Sequence, residues 1–209
     1  MWKSSVDRMS ESCSPLAILH QGIKECQKCR LRAGCQQTVP GEGAPNAAVV
    51  FLAEAPGETE DMRGRPLIGR AGEDFRDTAR KTKLLLSECY VSYLVRCMPP
   101  DNRIPNPDEL EACWPWTLKT LQLIRPKIIV RMGDTALRML AYKLGFSKQV
   151  KQDKIIKLAG KPFYVEARRF YVYPLFHPLY ALRRKEEREV FKAHMRYLKQ
   201  AIPGWIQRV

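Results

Sequence analysis

The sequence has 209 residues, of which 45% are hydrophobic and 28% are charged, and these values exclude a collagen-like or wholly disordered chain. A chain of this length predicts one domain with a sizeable buried core. Lys and Arg number 36 against 22 Asp and Glu, which gives a formal net charge of +14. That balance indicates nucleic acid as the first choice of partner and an anionic membrane as the second, with a surface kept basic for solubility as the plainer alternative.

The sequence shows no segment typical of a membrane span or a signal peptide, and this predicts where the protein is located. No apolar run approaches the roughly 18 residues that cross a membrane, and residues 1–13 lack the apolar centre of a signal peptide. We therefore expect a flexible tail over 1–13, one domain over 14–209, and a cytoplasmic, nucleoid-associated monomer with no membrane association and no obligate protein partner. In that reducing compartment the seven cysteines are better suited to metal or cluster ligation than to disulfides.

The predicted elements begin with a short helix over 14–28. Short apolar runs predict four buried strands, which are Ala48–Ala53, Tyr90–Val95, Lys127–Met132 and Phe170–Phe176. Helical patterns lie between and after the strands, at Asp74–Leu86, Asn106–Ile124, Asp134–Leu144 and Glu186–Ala201. This alternation predicts an α/β sandwich around a mainly parallel, four-stranded central sheet.

The residues that follow each predicted strand are glycines, prolines and polar groups. They occupy positions 54–57, 97–103, 133–134 and 177–178. Ligands of such folds bind beyond the carboxyl ends of the strands, so we expect these four segments to form one shared rim.

The cysteines contain two pairs that could act together. Cys26 and Cys29 form a C-x-x-C pair, and Cys97 and Cys113 form a second pair further along the chain. Four thiolates suit a tetrahedral zinc ion or an iron–sulfur cluster, although some of these cysteines could simply be small buried apolar residues. Cys35 is a competing third ligand, whereas Cys13 and Cys89 are expected not to bind metal.

Several motifs occur in one order along the chain. They are Ala-Glu-Ala-Pro-Gly at 53–57, Gly-Arg-Pro-Leu-Ile-Gly-Arg-Ala-Gly at 64–72, Arg-Cys-Met-Pro-Pro-Asp-Asn-Arg at 96–103, Glu-Ala-Cys at 111–113 and Phe-His-Pro at 176–178. In order and spacing, the chain resembles the iron–sulfur uracil-DNA glycosylases, the fourth family of that superfamily. The resemblance implies a three-layer α/β/α sandwich, DNA as the substrate and a four-iron, four-sulfur cluster. Zinc remains the alternative, and the implied ligands are Cys26, Cys29, Cys97 and Cys113.

The resemblance also assigns the catalytic residues. It gives Glu54 the role of orienting the attacking water and stabilising a sugar cation. It gives His177 a hydrogen bond to the leaving base, which stabilises the negative charge that develops there. Without the motifs, Glu54 would be taken for a solvated loop residue and His177 for a structural histidine. The residues implied to hold the base are Ala53, Ala55, Leu67 and Tyr93.

The segment after His177 corresponds to the family's loop that enters the duplex and supports the flipped nucleotide. An apolar wedge fills the gap in the duplex, and arginines hold phosphates. The plainer alternative is the start of a helix with a solvated basic face. The residues implied to bind DNA are Tyr180, Leu182, Arg183 and Arg184 in this loop, with Arg65, Arg70 and Lys161 elsewhere.

Two positions depart from the family pattern, and both belong to the base pocket. Tyr93 replaces an asparagine, and one hydroxyl cannot offer the donor and acceptor of an amide to one base edge. Leu67 replaces a phenylalanine on which the base stacks, and such stacking contributes roughly 1–3 kcal/mol. A smaller change puts Ala53 where the family has glycine.

Retained catalytic residues beside a changed pocket indicate a different base. The leading hypothesis is therefore a DNA glycosylase for a non-uracil base, for example glucosylated hydroxymethylcytosine in phage DNA, acting in antiviral defence. A repair glycosylase for uracil or another deaminated base is the first alternative. The others are a non-catalytic DNA-binding homologue and an iron–sulfur redox or scaffold module.

Overall fold

The computed structural model describes residues 14–150, 155–181 and 185–209, and these residues contain one sheet. Its strands are β1 (Glu42–Gly43), β2 (Val49–Ala53), β3 (Tyr90–Tyr93), β4 (Ile128–Met132), β5 (Phe163–Val165) and β6 (Phe170–Leu175). They lie in the order β1-β3-β2-β4-β6-β5. The inner strands β3, β2, β4 and β6 are parallel, whereas β1 and β5 pair antiparallel with their neighbours at the two edges.

Helices connect the strands and cover both faces of the sheet. The α-helices are α1 (Pro15–Lys24), α2 (Leu31–Gly34), α3 (Glu58–Arg63), α4 (Arg70–Lys81), α5 (Pro107–Ile124), α6 (Asp134–Leu144), α7 (Ser147–Val150), α8 (Ile155–Leu158), α9 (Pro178–Ala181) and α10 (Lys185–Gln207). Short 3-10 turns occur at Leu86–Glu88, Pro100–Asn102 and Glu166–Arg168.

Two apolar cores flank the sheet because its parallel strands are buried on both faces. In β2, Val50 and Leu52 face a core that includes residues of α5 and α6. The alternate residues Val49, Phe51 and Ala53 face the opposite core, which includes residues of α4 and α10. This arrangement confirms the predicted α/β/α layers.

The sequence predicts four strands, and that number is wrong because the sheet has six. The additional strands β1 and β5 contain two and three residues. Segments this short show no usable apolar alternation, and only their hydrogen bonds to β3 and β6 identify them. The short helix α3 is likewise absent from the predicted elements.

The parallel strands end together, so the segments that follow them share one edge of the sheet. Tyr93 is the last residue of β3, and Glu54 directly follows β2. The backbone N–H of Gly133, after β4, donates to the carbonyl of Leu175 at the end of β6, at 3.1 Å. His177 is therefore brought to the edge that carries Glu54. Over the described residues, no helix combines the length and apolar character that a membrane span requires.

Candidate active site and cysteine centre

A cleft of about 740 Å³ opens at the carboxyl edge of the sheet. Its volume lies within the range of small-molecule and cofactor sites. Residues of all four strand-end segments line it, as the sequence predicts for a shared rim. Among them are Glu54, Ala55, Gly57, Leu67, Arg70, Tyr93, Asn102, Gly133, His177 and Tyr180.

One wall of the cleft is the segment over 66–69, and a buried carboxylate fixes it. Glu60, which is 7% exposed, accepts hydrogen bonds from the backbone N–H groups of Ile68 (2.9 Å) and Gly69 (2.8 Å). It also accepts one from Gly57, at 3.2 Å, so it joins this wall to the loop after β2. The sequence alone did not identify this supporting role of Glu60.

Leu67 has an unusual backbone conformation within that wall. Its φ of 50° lies in the left-handed region that non-glycine residues seldom adopt. Arg76 holds this turn by donating to the carbonyls of Leu67 (2.8 Å) and Pro66 (2.9 Å). A Cβ atom at Gly72 would lie 2.1 Å from the Leu67 carbonyl, so only glycine fits there. Strained backbone that is held from several sides is typical of functional sites.

Tyr93 forms part of the cleft wall and is 1% exposed. Its hydroxyl accepts a hydrogen bond from the backbone N–H of Leu67, at 2.9 Å. Burial, with the Glu60 carboxylate as a smaller cause, raises the pKa of Tyr93, so its hydroxyl keeps its proton at neutral pH. The two positions that depart from the family pattern are therefore in direct contact.

His177 is held as a neutral hydrogen-bond donor. Its Nδ1 accepts the backbone N–H of Leu179 at 3.2 Å, which leaves the ring proton on Nε2. Burial lowers the pKa of His177 to about 4, and the charge of Arg131 acts in the same direction, whereas Glu60 opposes it. The ring is thus uncharged at neutral pH, and its Nε2–H is available to a group in the cleft.

Glu54 and Ala55 line the same cleft, on the loop that leaves β2. The backbone carbonyl of Glu54 accepts a hydrogen bond from Val95 at 3.2 Å, which anchors the loop to the segment after β3. Ala53 has no exposed surface and is the last residue of β2. It supports the cleft from behind and is not one of the lining residues.

The residues predicted to bind DNA have different surroundings. Arg70 and Tyr180 line the cleft, and the Tyr180 ring packs on Phe176 with 5.2 Å between centroids. Arg65 forms a bidentate ion pair with Glu42, at 2.7 and 2.9 Å, away from the cleft lining. Lys161 is exposed on the surface. Leu182, Arg183 and Arg184 lie outside the described residues, as does the tail over 1–13.

The four cysteines implied as ligands come together away from the cleft. Cys26, Cys29, Cys97 and Cys113 line one small cavity, although they come from three separate segments. Trp116 Nε1 donates to Cys26 Sγ at 3.1 Å. Cys35 contacts Cys97 but is not one of the lining residues, and its Sγ donates to the Arg32 carbonyl at 3.7 Å. Cys89 is buried in the core near β3, and burial raises its pKa to about 12.

A buried carboxylate joins the segments that carry these cysteines. Glu109, in the first turn of α5, accepts hydrogen bonds from Arg30 (2.9 Å) and Arg103 (2.7 and 2.8 Å). It also accepts the backbone N–H of Asn106, at 2.8 Å, which closes a capping box. Mainly because of Arg103, the pKa of Glu109 is lowered to about 2.

The residues that line this cavity bear on which kind of metal group it could hold. Within the described parts of the chain, no three His, Cys, Asp or Glu side chains form a group that would hold one metal ion. A four-iron, four-sulfur cluster would be held by four cysteine thiolates, which is the number of cysteines that line this cavity. The four thiols and the N–H donor of Trp116 fit that kind of group.

The fold and these two sites agree with the relationships of the sequence. A family model described as the uracil DNA glycosylase superfamily matches residues 40–199. The chain therefore belongs to this superfamily of DNA glycosylases, as its motifs predict. It is similar to the Type-4 uracil-DNA glycosylase of Saccharolobus solfataricus, with 35% identity over 191 residues that cover 90% of this chain and 86% of that protein. It is also similar to the Type-4 uracil-DNA glycosylase of Thermotoga maritima, with 35% identity over 171 residues that cover 81% and 84%.

Proposed function

We propose that this protein is a DNA glycosylase that hydrolyses the bond between a flipped-out base and its deoxyribose. The observation that carries the proposal is the pairing of Glu54 with a neutral His177 in one cleft at the carboxyl edge of the sheet. A base inside a duplex cannot reach such a cleft, so the nucleotide must first leave the stack. The net charge of +14 supports binding to the phosphate backbone.

In the proposed reaction Glu54 and His177 have separate tasks. When the glycosidic bond breaks, its electron pair leaves with the base, and the sugar develops positive charge. The Nε2–H of His177 donates to an oxygen of the departing base and stabilises the negative charge there. The Glu54 carboxylate orients a water molecule toward the sugar carbon and stabilises the cationic sugar. Addition of that water yields an abasic site and the free base.

The contact between Tyr93 and Leu67 bears on which base is removed. Because the hydroxyl oxygen already accepts the Leu67 N–H, the group offers the cleft chiefly its own proton. A donor at this position matches the unprotonated ring nitrogen of a cytosine better than the ring N–H of uracil. We propose a modified cytosine as the base, with glucosylated hydroxymethylcytosine of phage DNA as the specific candidate and antiviral defence as the setting.

Uracil is the second candidate substrate, because the similar proteins of Saccharolobus solfataricus and Thermotoga maritima are uracil-DNA glycosylases by name. In this alternative, the protein repairs deaminated DNA. Tyr93 and Leu67 are then tolerated variants, and the remaining hydroxyl lone pair of Tyr93 accepts the uracil ring N–H.

We further propose that the cysteine cavity holds a four-iron, four-sulfur cluster. Cys26, Cys29, Cys97 and Cys113 would ligate it, and Trp116 would donate to one ligand sulfur. Such a cluster joins the segment before α2 to the loop after β3 and to α5, and it can also carry one electron. The glycosylase steps above need no electron, so its role here is to connect these segments.

A substrate panel tests the proposed function. Purified protein is incubated with matched single- and double-stranded oligonucleotides that carry uracil, hypoxanthine, hydroxymethylcytosine or its glucosylated form, and alkali then reveals abasic sites. The Glu54→Ala, His177→Ala double variant serves as the inactive control. Cleavage at a modified cytosine alone supports the specific proposal, and cleavage at uracil supports the repair alternative. A third outcome is that the protein binds DNA tightly, cleaves at no base, and binds DNA equally well as the double variant. This outcome would contradict the glycosylase proposal and identify a DNA-binding homologue.

A further inference from the structure

Arg131 is a buried charged residue in the middle of the central sheet. It belongs to β4, between Val130 and Met132, and none of its surface is exposed. Its Nη1 donates to the carbonyl of Leu52 on the neighbouring strand. Its Nε and Nη2 are buried and have no hydrogen-bond partner among the described residues.

A second buried arginine, Arg96, has more hydrogen bonds than Arg131. Arg96 is 2% exposed, and its guanidinium donates to Ser92 Oγ, to the carbonyl of Tyr93 and to Thr120 Oγ1. Arg96 Nε also lacks a partner among the described residues, but these three bonds compensate much of the cost of burying the charge. Within the same residues, the guanidinium of Arg131 has one such bond. A buried group without its hydrogen bonds destabilises the fold, and apolar replacements of buried ions are often neutral or stabilising. Stability alone therefore does not explain an arginine at position 131.

The position of Arg131 relates it to both catalytic residues. It pairs in register with Leu52 on one side and with Pro174 on the other. Glu54 lies two residues beyond Leu52, and His177 lies three residues beyond Pro174. Arg131 thus lies on the strand between β2 and β6, a few residues before the points where these strands lead to Glu54 and His177.

The electrostatics connect the same three residues. Burial lowers the pKa of Arg131 to about 9, and the Glu54 carboxylate opposes that shift, so the guanidinium stays charged at neutral pH. The charge of Arg131 also adds to burial in lowering the pKa of His177, against the effect of Glu60. A positive charge at this point attracts the Glu54 carboxylate and disfavours a charged His177 ring, and the proposed reaction requires that ring to be neutral.

We propose that Arg131 is a positioning residue for the glycosylase reaction, whose buried guanidinium, on the strand between the two that lead to Glu54 and His177, acts on both of these side chains. The inference rests on the proposed function. In this proposal, an arginine that lacks some of its hydrogen bonds lowers the stability of the fold but increases the rate of the reaction. This agrees with the general trade-off between stability and activity.

The first test compares Arg131→Met and Arg131→Lys with Arg96→Met as the matched buried control. We expect Arg131→Met to keep or raise the thermal midpoint, and Arg96→Met to lower it because three acceptors lose their donor. With the cleaved oligonucleotide in single-turnover assays, Arg131→Met should slow base release about tenfold to a hundredfold with unchanged DNA affinity. Arg131→Lys should restore most of the rate. Equal rates for Arg131→Met and the wild type would overturn the proposal, as would a loss of stability that matches that of Arg96→Met.

A double-mutant cycle separates a role through Glu54 from a general structural role. If Arg131 acts through the carboxylate, Arg131→Met should change little in a Glu54→Gln protein, where no carboxylate remains to be held. Full additivity of the two substitutions would contradict the proposal.

The last arm needs no DNA and therefore separates this proposal from the proposed function. The protein has three histidines, so ring ¹⁵N shifts against pH can follow each one, with His177→Gln for assignment and His20 and His194 as internal references. Arg131→Met should raise the pKa of His177 and leave the other two unchanged. An unchanged His177 overturns the proposal even if the enzyme is active. A raised pKa supports the electrostatic contact even if the oligonucleotide panel shows no cleavage and the proposed function fails.

Discussion

The cysteine cavity and the base cleft differ in how far their residues follow the family pattern. The cavity keeps all four implied ligands, and its segments are joined by the ion pairs of Glu109 with Arg30 and Arg103. The cleft is lined by Glu54 and His177, as the resemblance implies, and by Tyr93 and Leu67, which differ from the residues that the resemblance implies for holding the base. A metal group tolerates few changes because every ligand is bonded to it, whereas a recognition surface can change while the catalytic groups stay. The comparison separates a set of cysteines that matches the implied family pattern from a cleft that departs from it at two positions.

The largest effect is expected within the cleft, at its retained catalytic residue. Glu54→Ala should slow base release at least about a hundredfold, because the water then lacks its orienting carboxylate. Single-turnover cleavage of the best oligonucleotide in the panel measures this loss. Glu88→Ala, an exposed carboxylate outside the cleft, is the control and should cleave at the wild-type rate. Equal loss in both variants would remove Glu54 from the mechanism.

Substitution of single cysteines tests which of them hold the metal group at the cysteine cavity. Cys113→Ser should lose most bound iron and sulfide together with the visible absorbance of the cluster, and its thermal midpoint should fall because three segments are no longer joined. Cys35→Ser should keep the iron, because Cys35 does not line the cavity. Iron and sulfide analysis with thermal unfolding measures both. A colourless Cys35→Ser and an unchanged Cys113→Ser would reverse the ligand assignment.

Placing the asparagine of the family pattern at position 93 tests whether this position of the cleft determines which base is removed. Tyr93→Asn should raise uracil cleavage about tenfold, since an amide contributes a donor and an acceptor worth on the order of 1 kcal/mol or more. Adding Leu67→Phe should increase it further, by stacking worth about 1–3 kcal/mol. Rates on uracil and modified-cytosine oligonucleotides measure the switch. Tyr93→Phe, which removes only the hydroxyl, should gain no uracil activity; if it gains as much as Tyr93→Asn, base reading by the amide is not the cause.

A smaller effect is expected from two partly buried histidines, of which His177 lines the cleft and His20 lies outside both regions. Burial is the main cause that lowers the pKa of both His177 and His20 to about 4, from an ordinary value of 6.5. Between pH 6.5 and about pH 4, the unfolded chain therefore binds protons at these histidines that the folded chain does not bind. The free energy of unfolding is highest above this pH range and falls as the pH drops through it. We expect the thermal midpoint to fall by several degrees over this range.

The histidine prediction has its own control. His20 Nε2 lies 2.7 Å from the hydroxyl of Tyr90, beside the core of the sheet and outside the cleft. His20→Gln should flatten part of the pH dependence without changing base release. A thermal midpoint that stays constant over the window in the wild type would contradict the assignment of buried, neutral histidines.

Much of the fold follows from local pattern. The apolar runs predict the four inner strands, with ends within about two residues of those observed, because strands buried on both faces need continuous apolar sequence. The helix over Asp134–Leu144 has its predicted bounds and ends at Gly145, which has the left-handed conformation typical of a helix end. Helix α4 begins four residues before its prediction, at Arg70 instead of Asp74, because Gly69 ends the preceding wall segment. The edge strands β1 and β5 depend on pairing across the sheet, and no local pattern marks them.

The sequence by itself determined the superfamily and the shared rim at the strand ends, because both follow from motif residues and apolar patterns that occur in a fixed order along the chain. Tertiary structure alone decided which groups are in contact. It brought the Tyr93 hydroxyl to the Leu67 N–H, joined Glu60 to the wall segment of the cleft, paired Arg65 with Glu42, and buried Arg131 in β4 against the Leu52 carbonyl. Contacts of this kind join residues that are distant in sequence, and their energies depend on burial and direction, which appear only when the sheet has assembled.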